Sequence, residues 1–140
     1  MYLVDTNVIS ELRKQSTHRN SQVAQWVRSV PIAELYLSAI TIYEIEVGIR
    51  RISRRDEVQG QRFRKWFEHG VLRQFRGKIL SLDSAIAIRA AGLHVPNPKP
   101  LADSFIAATA IEHNLVVVTR NTQDFVDIGV GVINPFMFED

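Results

Sequence analysis

Short runs of apolar residues alternate along this chain with stretches in which apolar residues recur every three or four positions. A short run fits a buried strand, whereas the wider spacing fits one face of a helix. Strands are predicted at 2–4, 35–37, 79–82, 115–118 and 130–133. Helices are predicted through Ile9 and Leu12, from Ser21 to Val30, from Thr41 through Ile52, over 55–74, from Asp83 through Leu93 and from Asp103 to His113. Strands separated by helices predict an α/β protein with a parallel sheet covered on both faces.

Turn and cap residues mark where these elements begin. Ser21 is the predicted cap of the second helix, and Asp83 with Ser84 is the predicted cap of the helix after the third strand. Prolines at 96, 98 and 100 predict an extended connector that ends where Asp103 opens the next helix.

Composition limits the kinds of protein this chain can be. Its 140 residues, 46% of them hydrophobic and 23% charged, predict one globular domain over residues 1–140. We find no basic leader and no apolar stretch of the roughly 20 residues that a membrane helix needs, and therefore expect a soluble cytoplasmic protein. Since there is no cysteine, disulfides and thiolate metal sites are excluded and oxygen ligands are the natural metal donors.

The positive charge is concentrated in one segment. Residues 50–78 hold ten Lys or Arg and three Asp or Glu, a net charge of +7, so the rest of a chain of net charge +2 carries −5. Such a block can attract a polyanion, and we take Arg50, Arg51, Arg54 and Arg55 as candidate nucleic-acid-binding residues. A solvated helical face is the simpler explanation of the same pattern. The interleaved aromatic residues Phe63, Trp66, Phe67 and Phe75 could stack on bases, but their spacing favours the buried side of a helix.

Four acidic residues stand where apolar segments meet turns or helix starts: Asp5, Glu44, Asp103 and Asp124. In a parallel sheet, ligands bind beyond the carboxyl ends of the strands, which is where Asp5 and Asp124 are expected. The start of the helix that carries Asp103 is expected at the opposite edge unless the helix is long enough to bring it back. Carboxylates in one cleft repel by about 1 kcal/mol per pair in water and about 4 kcal/mol at a partly buried site. They would need protons or, as we favour, a divalent cation.

Each acidic residue also has a simpler explanation. Asp103 could be a helix cap, Asp124 a turn residue and Glu44 a solvated helix position. A non-catalytic nucleic-acid-binding or protein-binding module therefore remains open. A receiver-type phosphoacceptor domain is a further alternative, with Asp83 after the third strand, although Arg120 stands where that chemistry uses a lysine. A haloacid-dehalogenase-type phosphotransferase is disfavoured because Asn7 stands where a second Asp is needed.

Five segments together carry a resemblance to a known family. They are residues 3–12 (LVDTNVISEL), 41–48 (TIYEIEVG), 103–110 (DSFIAATA), 119–125 (TRNTQDF) and 132–136 (VINPF). In this order they resemble the PIN-domain family and, within it, the VapC toxins of type II toxin–antitoxin pairs, including the FitB-like branch. Residues 50–78 match least.

The resemblance implies an α/β/α sandwich with a central parallel sheet and an acidic pocket that binds Mg²⁺ or Mn²⁺. It places the catalytic and metal-binding carboxylates on Asp5, Glu44, Asp103 and Asp124, and it implies supporting polar roles for Thr6, Asn7, Thr119 and Asn121. Asp5 and Asp103 are the expected direct ligands. It further implies an RNA substrate, a cognate antitoxin protein as inhibitor, and a homodimer. One ion or two would both suit four carboxylates.

Overall fold

A five-stranded sheet, parallel throughout, forms the centre of the computed structural model, which describes residues 1–139. Its strands are β1 (Tyr2–Val4), β2 (Leu35–Ser38), β3 (Ile79–Leu80), β4 (Val116–Val118) and β5 (Val132–Ile133). The helices are α1 (Thr6–Leu12), α2 (Ser21–Ser29), α3 (Ala39–Arg55), α4 (Glu57–Lys65), α5 (Leu72–Gln74), α6 (Ser84–Gly92) and α7 (Leu101–His113). The predicted α/β/α sandwich with a central parallel sheet is confirmed.

The order of the strands places β1 at the centre of the sheet. The order is β3-β2-β1-β4-β5, and Tyr2 of β1 pairs with Leu35 of β2 on one side and with Val116 of β4 on the other. The chain therefore winds outward from β1 in one direction up to β3, and then crosses back to β4. The strand order reverses between β1 and β4, and that is where a doubly wound sheet opens a crevice at its carboxyl edge.

Alternate residues of the central strands point to opposite faces and build a core on each. Val4 and Val118 pack with α1, α2 and α3 on one face, whereas Leu3 and Val117 pack with α7 on the other. All four side chains are 0–2% exposed. Since both faces are covered, these strands are apolar at consecutive positions, which explains why their sequence shows runs and no alternation.

The observed ends of the elements correct several predicted boundaries. Asn20, not Ser21, caps α2, because its side-chain oxygen accepts a hydrogen bond from the Val23 N–H at 3.0 Å. Asp83 caps α6 as predicted. The third strand ends at Leu80, two residues before its predicted end, and the last begins at Val132, two residues after its predicted start. The last helix begins at Leu101, directly after Pro100, two residues before its predicted start at Asp103.

The predicted basic helix over 55–74 is not one regular helix. Asp56 ends α3 and caps α4, and a π-helical stretch over Trp66–Val71 separates α4 from the short α5. Phe67 and Phe75 are buried as predicted, whereas Phe63 and Trp66 are half-buried and pack at the margin of the core.

Two predictions concern the whole chain. Within residues 1–139, no helix combines the length and the apolar character needed to span a bilayer. The single domain over 1–140 stays a prediction, and Asp140 lies outside the described residues.

Candidate active site

The four acidic residues come from four different elements that meet at the carboxyl edge of the sheet. Asp5 follows β1, Glu44 lies in the second turn of α3, Asp103 lies in the first turn of α7, and Asp124 lies in the 3₁₀ turn Thr122–Phe125 after β4. The negative charges of the other three all act on Asp103. The structure therefore brings all four together.

The structure answers the open question of whether α7 is long enough to bring Asp103 back to the carboxyl edge, and it is. This helix leads into the amino end of β4, so it runs against the strands and starts at their carboxyl edge. Its 13 residues span about 20 Å at 1.5 Å per residue, which is more than the length of the strand it precedes. Asp103 consequently lies on the same side as Asp5.

Asp5 is held by hydrogen bonds on both carboxylate oxygens. It caps α1 by accepting from the Thr6 N–H at 2.7 Å on Oδ1, and Oδ2 accepts from the Thr119 hydroxyl at 2.8 Å and from the Asn7 amide at 3.3 Å. Its own N–H donates to the Val118 carbonyl at 2.9 Å. Asp5 is only 5% exposed, so these contacts fix both its position and the plane of its carboxylate.

Asn7 and Thr119 join the segments that follow β1 and β4. The Asn7 amide donates to the Thr119 hydroxyl oxygen at 3.2 Å, and its Oδ1 accepts from the Arg120 N–H at 3.1 Å. Thr119, which is fully buried, also accepts from the Asn121 N–H at 3.0 Å. The backbone of Asn121, rather than its exposed side chain, takes part in this network.

Glu44 is oriented by two threonines. The Thr6 hydroxyl lies 2.6 Å from Glu44 Oε1 and 3.1 Å from the Thr41 hydroxyl oxygen. A hydroxyl has a single proton, so Thr6 donates to the carboxylate and accepts from Thr41. Thr41 is fully buried and was not predicted as a site residue. Its position one turn before Glu44 on α3 was the available signal.

Burial and mutual repulsion raise the pKa of two of these carboxyl groups. The pKa of Asp103 rises from 3.8 to about 7, because burial disfavours its charge, because a hydrogen bond with Asp124 requires a proton, and because Asp5, Asp124 and Glu44 repel it. Burial also raises the pKa of Asp5, against the opposing effect of the hydrogen bonds from Thr119 and Thr6. The pocket thus holds more negative charge than its surroundings compensate.

The side chains of the pocket have the chemistry that a divalent cation needs. The donors are carboxylate oxygens, the ligands that Mg²⁺ and Mn²⁺ prefer. Within residues 1–139, no three acidic or histidine side chains are grouped closely enough to hold one ion together. The pocket therefore fits the Mg²⁺ mode in which one or two carboxylates bind and water completes the shell.

The candidate RNA-binding arginines lead away from this pocket along α3. Arg50, Arg51, Arg54 and Arg55 lie on the second half of α3. Arg55 is eleven residues beyond Glu44, or about 16 Å along the helix axis. Arg50 donates to Glu46 at 2.7 Å, and the same carboxylate receives two hydrogen bonds from Arg64. These contacts explain why the pKa of Glu46 falls to about 2.

Asp83, the candidate phosphoacceptor, is an exposed cap at the start of α6. Its Oδ1 accepts from the Ile86 N–H at 3.0 Å. It follows β3, the strand at the edge of the sheet, which is two strands away from the crevice between β1 and β4. The receiver-type alternative therefore has no acidic pocket around its acceptor.

Comparisons with known proteins agree with this geometry. The family model described as PIN domain matches residues 2–130. The toxin FitB of Neisseria gonorrhoeae is 38% identical over 144 aligned residues, with 97% of this chain and 99% of that protein covered. The VapC ribonuclease Y4jK of Sinorhizobium fredii is 36% identical, with 97% and 98% covered.

A solved structure shows the same arrangement of the chain. The crystal structure of FitAcB from Neisseria gonorrhoeae superimposes with a TM-score of 0.89 at 34% identity, covering 99% of this chain and 100% of the chain compared.

Proposed function

Because the chain belongs to the PIN-domain family, we propose that it is a metal-dependent endoribonuclease toxin that hydrolyses RNA phosphodiester bonds and is inhibited by a cognate antitoxin. The observation that carries this proposal is the group of four carboxylates at the switch point of the sheet, with Asp103 driven to a pKa of about 7. Relatives named as a VapC ribonuclease and as a toxin support the class of reaction and the biological role.

Asp5 and Asp103 would hold Mg²⁺, or Mn²⁺ in its place, and Glu44 and Asp124 would tune the shell through the water that completes it. When bound, the cation lowers the pKa of a coordinated water and neutralises charge that develops on phosphate oxygens. RNA as the substrate is part of this proposal and is supported by the names of the relatives.

The residues of the chain orient the carboxylates before any ligand arrives. Three donors fix Asp5, and one hydroxyl fixes Glu44. The pKa of Asp103 is raised to about 7 by burial, by the hydrogen bond with Asp124 and by the neighbouring charges, so Asp103 must lose its proton before it can bind a cation as an anion. Thr119 links the two central strands at this point, so the distance between Asp5 and the Asn121 turn is set by buried contacts.

Inhibition by an antitoxin has a physical route in this pocket. A chain of the toxin–antitoxin complex from Klebsiella pneumoniae is 31% identical to this one and superimposes with a TM-score of 0.71, covering 96% of this chain and 98% of that chain. An antitoxin arginine inserted among the carboxylates would form bidentate, charge-assisted hydrogen bonds with them and displace the metal. A homodimer and a cytoplasmic location complete the proposal.

Cleavage of a mixed RNA pool by the purified protein, freed of antitoxin, tests the proposal. With Mg²⁺ or Mn²⁺ present we expect discrete cleavage products, and with EDTA we expect none. Asp5→Asn should lose turnover while keeping its thermal unfolding temperature within a few degrees.

Asp83→Asn is the matched control, because it makes the same substitution after another strand and Asn remains an effective cap. It should cleave like the unmodified chain. If Asp5→Asn cleaved as well as Asp83→Asn, the carboxylates would be structural caps and the chain would be a non-catalytic binding module.

A further inference from the structure

A basic and aromatic cleft lies beside the acidic pocket. It has a volume of about 390 Å³, and the side chains that matter for its chemistry are Arg13, Lys14, His18, Arg62, Phe63 and Trp66. No acidic side chain of residues 1–139 lines it. A cleft of this size falls in the range of about 300–1,000 Å³ that is typical of ligand sites. We call it the basic–aromatic cleft.

A narrower recess connects this cleft to the acidic pocket. The recess has a volume of about 70 Å³ and shares Arg13, Phe63 and Trp66 with the cleft, while Thr6 and Glu44 line it as well. Helix α1 begins at Thr6, and Arg13 follows its last residue. The cleft therefore lies about 10 Å from the start of that helix. The cleft and the recess thus adjoin one another, and the recess reaches Glu44, one of the four carboxylates.

The arginines of the cleft are free to bind an anion. The guanidinium of Arg13 lies over the Phe63 ring, 4.2 Å from its centroid, which holds the group flat without neutralising its charge. Neither Arg13 nor Arg62 forms an ion pair within the described part of the chain, in contrast to Arg50 and Arg64, which both pair with Glu46.

Trp66 supplies an aromatic surface between these cations. It is half-buried and lines both the cleft and the recess. It is also the first residue of the π-helical stretch Trp66–Val71, an irregularity that often occurs at functional sites in helices. Proteins commonly bind a single-stranded nucleic acid with cationic side chains that contact its phosphates and an aromatic side chain that stacks on a base.

We propose that the basic–aromatic cleft binds single-stranded RNA adjacent to the phosphodiester cleaved at the acidic pocket. Arg13 and Arg62 bind phosphates, and the Trp66 ring contacts a base. The inference rests on the proposed ribonuclease function. In this proposal the phosphate-binding surface is the basic–aromatic cleft and not the arginines of α3. The cleft adjoins the recess that Glu44 lines.

Binding of a labelled RNA by a non-cleaving protein tests this proposal. In an Asp5→Asn background, fluorescence anisotropy with a single-stranded RNA of about 12 nucleotides, within the usual site size, gives Kd at several salt concentrations. Arg13→Gln with Arg62→Gln should raise Kd roughly tenfold and lower the slope of log Kd against log salt by about 1.4, since each phosphate contact to a single strand contributes about 0.7.

A separate variant addresses the aromatic contact. Trp66→Ala should raise Kd about tenfold without changing the salt slope, because a stacked base releases no counterion. Trp66→Phe should recover part of the affinity, which separates a stacking role from a loss of packing.

The matched control is Arg73→Gln with Arg76→Gln. Both residues are exposed, and the described chain shows no ion pair for either. These substitutions remove the same charge outside the cleft and should change Kd less than twofold. An equal loss of affinity in the control, or no loss in the Arg13 and Arg62 variant, would overturn the proposal.

Two further results distinguish failure of the cleft from failure of the enzyme. If the Arg13 and Arg62 variant bound RNA normally and lost only affinity for the antitoxin, the cleft would be a protein interface and the proposal would be wrong. If wild-type protein cleaved no RNA but bound it through the cleft, the proposed ribonuclease function would be wrong and the proposed RNA-binding role of the cleft would be supported.

Discussion

Asp103→Asn should remove a pH dependence from the stability of the metal-free protein. The carboxyl group of Asp103 has its pKa raised from 3.8 to about 7 by burial, by the hydrogen bond with Asp124 and by the charges of Asp5, Asp124 and Glu44. An acid whose pKa rises on folding binds its proton more tightly in the folded state. Its contribution to stability is therefore complete below pH 3.8 and is lost as the pH rises through about 7.

The size of the effect follows from the shift in pKa. A rise from 3.8 to about 7 corresponds to about 4 kcal/mol at 1.36 kcal/mol per pKa unit. The Asp103 side chain is only half-buried, so solvent screening reduces this to about 2 kcal/mol. For a chain of this length, about 2 kcal/mol corresponds to a shift of roughly 6 °C in Tm.

Thermal unfolding in EDTA between pH 4.5 and 8 measures this contribution. Asn in place of Asp103 cannot titrate, so the stability of the variant relative to wild type should rise by about 2 kcal/mol as the pH increases across that range. Taking the difference between the two proteins cancels the contribution of the histidines. With saturating Mg²⁺ the difference should become independent of pH, because the cation replaces the proton. Parallel curves for the two proteins in EDTA would refute the assignment of excess negative charge to this pocket.

Two other substitutions test particular contacts. Thr119→Val keeps the shape of a fully buried side chain but removes the donor to Asp5 and the acceptor of the Asn121 N–H. It should cost about 1–3 kcal/mol in urea unfolding, and Thr119→Ser should restore most of that loss. Gly60→Ala places a Cβ 2.6 Å from Ser53 Cα, so α3 and α4 must separate. Although Ala favours a helix, we expect Gly60→Ala to destabilise the fold by about 1–3 kcal/mol in the same assay. Gly48→Ala is the control and should not destabilise it, because a Cβ at that position meets no atom within 4 Å.

The sheet was predictable because its strands are buried on both faces. Apolar side chains at consecutive positions of β1 and β4, such as Leu3 with Val4 and Val117 with Val118, leave a short run that no amphipathic helix would show. The boundaries were less predictable, because they depend on single contacts. Both Asn20 and Ser21 are good caps in sequence, and only the position of the Asn20 oxygen against the Val23 N–H decides between them.

The acidic residues of the candidate site were predictable, but their supporting contacts were only partly so. Asp5 and Asp124 follow strands, so the rule for parallel sheets places them at one edge. The direction of α7 also follows from that rule, but the placement of Asp103 depends on the length of this helix, which the structure shows to be 13 residues. Thr41 stands one turn before Glu44 in sequence, but its contact with Thr6, 35 residues away in the chain, is seen only in the structure.

The basic segment shows where charge counts fail. Ten cations in residues 50–78 suggested one binding surface, but α3, α4 and the π-helical stretch turn them in different directions. Arg50 and Arg64 neutralise Glu46, while Arg62 lines the cleft next to Arg13, a residue from α1 that no charge run would identify. Which cations remain free for a phosphate depends on the packing of α3 against α4.

The acidic pocket tolerates four carboxylates because helix starts surround it, yet these starts do not neutralise it. Asp5 caps α1, and Asp103 lies in the first turn of α7, so unpaired N–H groups and the positive ends of two helices face the negative charges. Such an interaction is worth about 0.3–1 kcal/mol per helix, which is less than the repulsion of about 4 kcal/mol per pair at a partly buried site. The remaining repulsion adds to the effects of burial and of the hydrogen bond with Asp124, and together they raise the pKa of Asp103. A divalent cation and an antitoxin guanidinium would relieve the same excess charge, and for that reason one pocket can serve both catalysis and inhibition.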